Sequence, residues 1–224
     1  MIVNDIKFYL DSFVDSKRTF KIRQSKNYSE IITDTGKKII SNSNNKFQNG
    51  LFLFMMVKRD VEKFIETYGQ VEPAPELPVN YYNDVYDREQ KTIGIDINNA
   101  YWSVAYLKNY ISKKTYLRGL EQDDFKPIRL SALSSLGKGR VWKVYEGGKY
   151  VRNEMTEGEK RLQDIYLDIR YTTYAVMEEI ANALGGDFHC WKTDCVFFND
   201  TPTNRKLVTT ILDGYGLEYK MEKL

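Results

Sequence analysis

The chain has 224 residues, of which 42% are hydrophobic and 29% charged, so it holds one ordinary domain, or one plus a small appendage, with a real core and is not wholesale disordered. Two cysteines exclude a disulfide scaffold and point to a reducing compartment, and a single histidine excludes most histidine-based catalysis. A net charge of +2 gives no bulk-charge argument for a nucleic-acid partner.

The longest apolar run is Leu51–Val57, well short of the ~18 residues a membrane helix needs. No small-residue cleavage site follows it. The expectation is a chain without membrane helix or signal peptide, placed in the cytoplasm. Residues 1–70 carry 12 Lys/Arg against 8 Asp/Glu, and the remainder is slightly acidic. Between them Glu72-Pro73-Ala74-Pro75-Glu76-Leu77-Pro78 holds three of the five prolines. Proline restricts itself and its predecessor to extended conformations, so residues 71–90 read as a stiff linker. Residues 1–70 then form a small basic α+β region, and 91–224 the main domain.

In chain order, Ser29–Thr33 and Lys38–Ser41 flank Asp34-Thr35-Gly36, a hairpin signal. Lys58–Tyr68 reads as a helix stopped by Gly69. Thr92–Ile97 is a short β-prone run. Asn99–Ile111 and Lys126–Leu136 read as helices, the second ending at Gly137. Arg140–Tyr145 and Lys149–Arg152 flank Gly147-Gly148, a strong hairpin turn. Thr156 and Glu159 have capping-box spacing, and apolar periodicity runs from there to Leu184 before Gly185-Gly186. Phe188–Trp191 and Cys195–Phe198 form strands around Lys192-Thr193-Asp194. A helix at 204–213 and a strand from Leu217 follow. From residue 92 this is β-α-α-ββ-α-ββ-α-β, an α+β antiparallel sheet with helices on one face.

Two carboxylates stand out. Asp96 ends the run Ile93-Gly94-Ile95-Asp96-Ile97, where a flanking apolar strand would hold it rigidly; the plainer role is a helix N-cap. Asp194 sits at the tip of an aromatic hairpin beside the core; the plainer role is a turn residue. Together, two acids from adjacent sheet elements can hold two divalent cations ~3.5–4 Å apart for phosphoryl transfer. Mg²⁺ suits such a site, because it binds through one or two carboxylates plus phosphates and waters.

The segment Asp96-Ile97-Asn98-Asn99-Ala100-Tyr101-Trp102-Ser103 resembles motif A of family B DNA polymerases, in the flavour of the protein-primed, viral and plasmid branch. Arg129-Leu130-Ser131-Ala132-Leu133-Ser134-Ser135-Leu136-Gly137 resembles motif B. Trp191-Lys192-Thr193-Asp194-Cys195-Val196-Phe197-Phe198 resembles motif C. The resemblance covers residues ~91–224 and implies a polymerase palm. It implies that Asp96 and Asp194 bind two Mg²⁺, with the Ile97 carbonyl as an extra ligand. It places Tyr101 under the incoming sugar, excluding a ribose 2′-OH. Arg129 would contact the triphosphate, and Ser134 and Gly137 would let their helix approach the nascent base pair. DNA and deoxynucleoside triphosphates are the implied partners, in a host cytoplasm if the chain is viral.

The departures from the family matter equally. Lys192 replaces the first motif C aspartate and puts a cation beside the metals, as a counter-charge on the triphosphate or the mark of a dead site. Leu133 and Leu136 replace the motif B asparagine and tyrosine. Motifs A and B lie only 33 residues apart, so the fingers reduce to a stub. Only 30 residues follow Asp194, so there is no thumb, and a partner chain is expected to supply what is missing. Two functions stay open: a minimal polymerase-like nucleotidyltransferase, or a polymerase-derived DNA-binding or assembly subunit with weak or no chemistry.

Weaker candidates are a proofreading-like Asp60-Val61-Glu62 and a zinc set of His189, Cys190 and Cys195. A basic-aromatic patch of Lys17, Arg18, Phe20, Lys21, Arg23, Lys26 and Tyr28 is a third. Lys113, Lys114, Arg118 and Lys126 read as a solvated charged face.

Overall fold

The computed structural model describes residues 19–24, 28–41, 45–83, 91–121 and 126–223. Lys17, Arg18 and Lys26 of the basic patch, and residues 84–90 of the expected linker, lie outside them. The fold is α+β. One five-stranded antiparallel sheet has the order β3-β2-β1-β6-β7, from β1 (Thr19–Gln24), β2 (Tyr28–Thr33), β3 (Gly36–Ser41), β6 (Arg140–Glu146) and β7 (Lys149–Thr156). The second has the order β10-β5-β9-β8-β4, from β4 (Asn80–Tyr82), β5 (Thr92–Ile97), β8 (Phe188–Lys192), β9 (Cys195–Asn199) and β10 (Tyr219–Lys223). Six helices accompany them among the described residues: α1 (Asn45–Tyr68), α2 (Ala100–Leu107), α3 (Lys113–Leu120), α4 (Lys126–Ser134), α5 (Lys160–Leu184) and α6 (Pro202–Gly214).

Most local signals act where they were expected. Gly147 and Gly148 both have positive φ, 54° and 75°, as a two-residue hairpin turn requires. Gly69 stops α1 at φ 90°, its N–H reaching the Ile65 carbonyl at 2.9 Å. Thr201 caps α6 by accepting from the Asn204 N–H at 3.1 Å.

Four expectations are corrected. Helix α1 begins at Asn45 rather than Lys58, because Leu53, Val57, Val61 and Ile65 continue one buried stripe. The helix expected over 99–111 is shorter: α2 ends at Leu107, Asn109 turns the chain at φ 60°, and a further helix, α3, starts beyond that range at Lys113, capped by Ser112. Thr156 and Glu159 form no capping box, since Thr156 belongs to β7 and Glu159 makes no side-chain cap bond. The Gly-Gly hairpin does not join the sheet of residue 92 onward. Strand β6 pairs with β1 instead, Phe20 opposite Tyr145 and Ile22 opposite Lys143.

That last pairing joins the N-terminal region to residues 140–156 in one sheet. The core is joined as well: Leu53, Val57, Val61 and Ile65 of α1 belong to the same buried cluster as Ile93, Ile95 and Ile97 of β5. The proline segment is also structural. It leads into β4, which pairs with β8 and forms the sheet edge. Helix α5 buries Leu162, Ile165, Ile169, Val176, Met177 and Ile180 at helical spacing against this cluster.

Strand alternation sorts the second sheet into two faces. Ile93, Ile95, Ile97, Val196, Phe198 and Trp191 point into the core. The other face carries two cross-strand rows. The first runs Lys220, Asp96, Cys195, Lys192, Asn80, and the second Glu222, Gly94, Phe197, Cys190, Tyr82.

Candidate active site

Asp96 and Asp194 stand at the ends of neighbouring strands. Asp96 is the last but one residue of β5, opposite Cys195, and Asp194 immediately precedes Cys195. The Ile97 N–H donates to the Asp194 carbonyl at 2.9 Å, which ties the two acid-bearing backbones together. Asp96 is thus a strand residue rather than a helix cap. The cap position of α2 is Asn99, which makes no side-chain cap bond.

Both acids are followed or preceded by strained backbone. Asn99 has φ 51° and Thr193 φ 57°, two of the three non-glycine residues with positive φ among those described. For a β-branched residue this costs roughly 1–2 kcal/mol and persists only where the surroundings impose it. Thr193 is held by β4 and the residue before it. Its N–H donates to the Val79 carbonyl at 2.9 Å and to Asn80 Oδ1 at 3.2 Å. Asn99 is held by Arg129, which donates to Asn99 Oδ1 at 2.6 Å.

The electrostatics follow from this placement. Burial pushes the Asp194 carboxyl above the usual range, and the Asp96 charge pushes it further; Lys126 and Lys220 pull the other way. Lys220, cross-strand partner of Asp96, sits 3.2 Å from Asp96 Oδ2 and 2.9 Å from Glu222 Oε1. Hydrogen bonds to Glu222 and then Asp96 raise its own pKa. Burial, with Asp96 next, pushes the Cys195 thiol up to about 12, so it stays protonated beneath the acids.

The remaining expected residues are placed as follows. Tyr101 is half-buried, and its hydroxyl lies 2.5 Å from that of Tyr174 on α5. Burial and this bond raise its pKa. Arg170 lies over the rings of Tyr174 and Tyr166, at 5.7 and 5.9 Å from their centroids. Gly137 packs on the same cluster: a Cβ there would stand 2.7 Å from Tyr166 Cδ1. Ser134 ends α4, its hydroxyl donating to the Ser131 carbonyl at 3.3 Å.

Arg129 and Lys192 make the following contacts. Arg129 is 6% exposed, and its guanidinium donates to the Gly119 carbonyl and to Asn99, bracing α2 against α3 from within. Lys192 lies over the Phe197 ring, 5.6 Å from its centroid. The cation on the acids is Lys220, which the sequence reading missed. Its only signal was the period of the last strand, which puts residues 220 and 222 on one face. Lys126, read as a solvated cation, contributes to the field at Asp194.

Gly94 leaves room on this face. A Cβ there would meet Phe197 Cε1 at 2.9 Å, so only glycine lets the ring lie across β5. Phe197 and the exposed Tyr82 therefore share a row beside the acids.

The other candidates resolve into structural roles. Asp60 accepts from the Ser112 N–H at 2.9 Å, the Ser112 hydroxyl at 2.6 Å and the Thr115 hydroxyl at 2.5 Å, capping α3 from α1. His189 is buried, with Nδ1 3.2 Å from Thr92 Oγ1 and Nε2 2.5 Å from Asn199 Oδ1. It does not join Cys190 and Cys195 in a zinc set, and both thiols are free. Phe20 is buried against Tyr145, Lys21 pairs with Glu154, and Arg23 with Glu30 at 3.3 Å.

Among the described residues no group of three His, Cys, Asp or Glu is arranged to hold a metal. Two neighbouring carboxylates, one of them destabilised by the other, nevertheless suit Mg²⁺, which takes the rest of its shell from waters and substrate phosphates. No helix among the described residues is long and apolar enough to cross a membrane.

Comparison with family models and with curated proteins finds no match. Among solved structures the chain is similar to one described as "In situ structure of BmCPV RNA-dependent RNA polymerase at elongation state", at 12% identity and a TM-score of 0.25. The match covers 96% of this chain and 21% of that one, so the chain spans about a fifth of that polymerase. A TM-score of this size carries no argument about function.

Proposed function

We propose that this chain is a minimal, polymerase-palm-like nucleotidyltransferase that adds deoxynucleotides to a 3′-OH. The observation that carries this reading is the pairing of Asp96 with Asp194. Asp96 in β5 and Asp194 in the turn entering the neighbouring β9 lie side by side, positive-φ residues stand at Thr193 and three residues after Asp96, and the field of Asp96 raises the pKa of Asp194. Placing two like charges together costs stability and is characteristic of sites that work on charged substrates.

In this reading Asp96 and Asp194 hold Mg²⁺, with the Ile97 carbonyl a further donor. Bound there, Mg²⁺ would supply charge neutralisation at the phosphates. Phe197 and Tyr82 offer aromatic surface to a nucleic-acid strand, and Lys192 adds a cation at its edge. Tyr101 lies five residues beyond Asp96, in the first turn of α2, and is fixed by Tyr174 of α5. A rigid tyrosine at that place suits discrimination against a 2′-hydroxyl. Arg129 contributes by holding Asn99, and through it the exit from β5.

The second reading is a polymerase-derived DNA-binding or assembly module without efficient chemistry. The Lys220 ion pair favours it, since it already neutralises Asp96.

Primer extension with Mg²⁺ and deoxynucleoside triphosphates separates the two. The wild type should extend a primer, and Asp96→Asn or Asp194→Asn should each abolish extension with the fold intact by circular dichroism. Each change keeps shape and removes the charge the cation needs. Extension that survives Asp194→Asn at wild-type level reduces Asp194 to a turn residue. Absence of extension in the wild type, with retained DNA binding, selects the second reading.

A further inference from the structure

Lys220 forms an ion pair with Asp96 and another with Glu222. Its place is dictated by register. Lys220 stands directly opposite Asp96 across the β10–β5 ladder, and Glu222 stands opposite Gly94, two residues along on the same face. The ammonium therefore lies between two carboxylates, 3.2 Å from Asp96 Oδ2 and 2.9 Å from Glu222 Oε1. Gly94 leaves nothing on β5 for Glu222 to pair with. The lysine is 56% exposed, so its head can move at little cost, whereas the Asp96 side chain is only 22% exposed.

We infer that Lys220 is a resident counter-cation of the acid pair: it occupies Asp96 while the site is metal-free and withdraws to Glu222 when a divalent cation binds. The inference rests on the proposed metal-binding role of Asp96 and Asp194 and adds its regulation. Without Lys220, Asp96 would lose its ion-pair partner, and Lys126 would be the cation left acting on Asp194. With Lys220, cation entry becomes an exchange of one positive charge for two. Glu222 is the holding position that keeps Lys220 from being expelled into solvent. The consequence is a threshold: the site fills only when divalent cation is abundant enough to outcompete the lysine. A like charge a few ångströms from an entering cation opposes it by an amount that solvent reduces but does not remove.

The test is Mn²⁺ binding, read from the loss of the free-ion electron paramagnetic resonance signal, on the full chain. Asp96→Asn reports whether the measured site is this one. Lys220→Met should bind Mn²⁺ about tenfold more tightly than wild type, and Lys220→Arg should remain close to wild type because it keeps the competitor. Glu222→Gln should weaken binding severalfold in the wild type and much less in Lys220→Met, since its effect passes through the lysine. Equal or weaker Mn²⁺ binding in Lys220→Met, with binding still lost in Asp96→Asn, overturns the counter-cation while leaving the acid pair as a metal site. Absence of Asp96-dependent binding in both wild type and Lys220→Met overturns the inference and the metal-site reading together. Urea denaturation of each variant verifies that the fold is retained.

Discussion

Asp194 is where function and stability oppose each other most directly. Burial and the neighbouring Asp96 both disfavour its charged form, so at neutral pH the ionised carboxylate weakens the fold. Asp194→Asn removes the charge and keeps an acceptor for the local backbone N–H. The variant should therefore be more stable than wild type without divalent cations, by roughly 0.5–1 kcal/mol, the scale of a relieved like-charge contact. Urea midpoints at pH 7 with chelator measure this. In millimolar Mg²⁺ the wild type should gain stability and the variant should not, because only a ligand that binds the native state shifts its midpoint. A destabilised Asp194→Asn in chelator would mean that the carboxylate is a structural acceptor.

At the scale of elements, helix α3 is eight residues long and cannot stand by propensity alone. Its start is secured from outside by Asp60, which receives three hydrogen bonds from Ser112 and Thr115. Burial alone would raise the Asp60 pKa, but these bonds outweigh it and hold the carboxyl below its ordinary value. Asp60→Ala should cost about 2 kcal/mol at pH 7, the upper range for a lost cap. The sign of the pH dependence follows from the depressed pKa. The contribution is complete above the unfolded value of about 4 and is lost as pH falls through the folded value below it. The gap between wild type and Asp60→Ala should thus be constant above about pH 5 and close in acid, as paired urea titrations would show.

What was legible follows the same division by range. Gly147-Gly148, Gly69 and the alternating runs at 92–97 and 195–199 are local signals, and each produced its turn, stop or strand. The acid pair was legible because Asp96 sits inside such a strand and Asp194 in the turn that leads into one. Three things were not. Strand β4 is three residues within a proline-rich stretch, and it exists because β8 offers it an edge. Arg129 carries the same charge whether it faces solvent or braces a helix, so its burial was invisible. Lys220 faces Asp96 only because β10 pairs with β5 in one register, and register is a property of two strands together.

At the scale of the whole molecule, the division suggested by charge and proline is not a division of the core. Leu53, Val57, Val61 and Ile65 are each 7% exposed or less and pack into the same cluster as β5. At about 1.5–3 kcal/mol each, their burial is of the same order as the entire 5–15 kcal/mol stability of a typical domain. A chain of residues 91–224 alone should therefore show no cooperative urea transition, although it contains both acids. A sharp transition in that fragment would restore the two-part division.

The pairing of β1 with β6 also sets an order of events during synthesis. Thr19 faces Glu146, so β1 leaves the ribosome long before its partner exists. At about 5–20 residues per second, the wait is on the order of ten seconds. Through that interval β1, already able to pair with β2, presents an open hydrogen-bonding edge to every other nascent chain. Phe20 and Ile22, both 1% exposed once β6 arrives, are the apolar part of that edge. Lys21 and Arg23 alternate with them, and charged residues on a strand edge discourage pairing with a stranger. In the finished protein those two cations pair with Glu154 and Glu30. Before that they act as guards, and their loss should first be felt as aggregation during expression rather than as a lower midpoint in the purified protein.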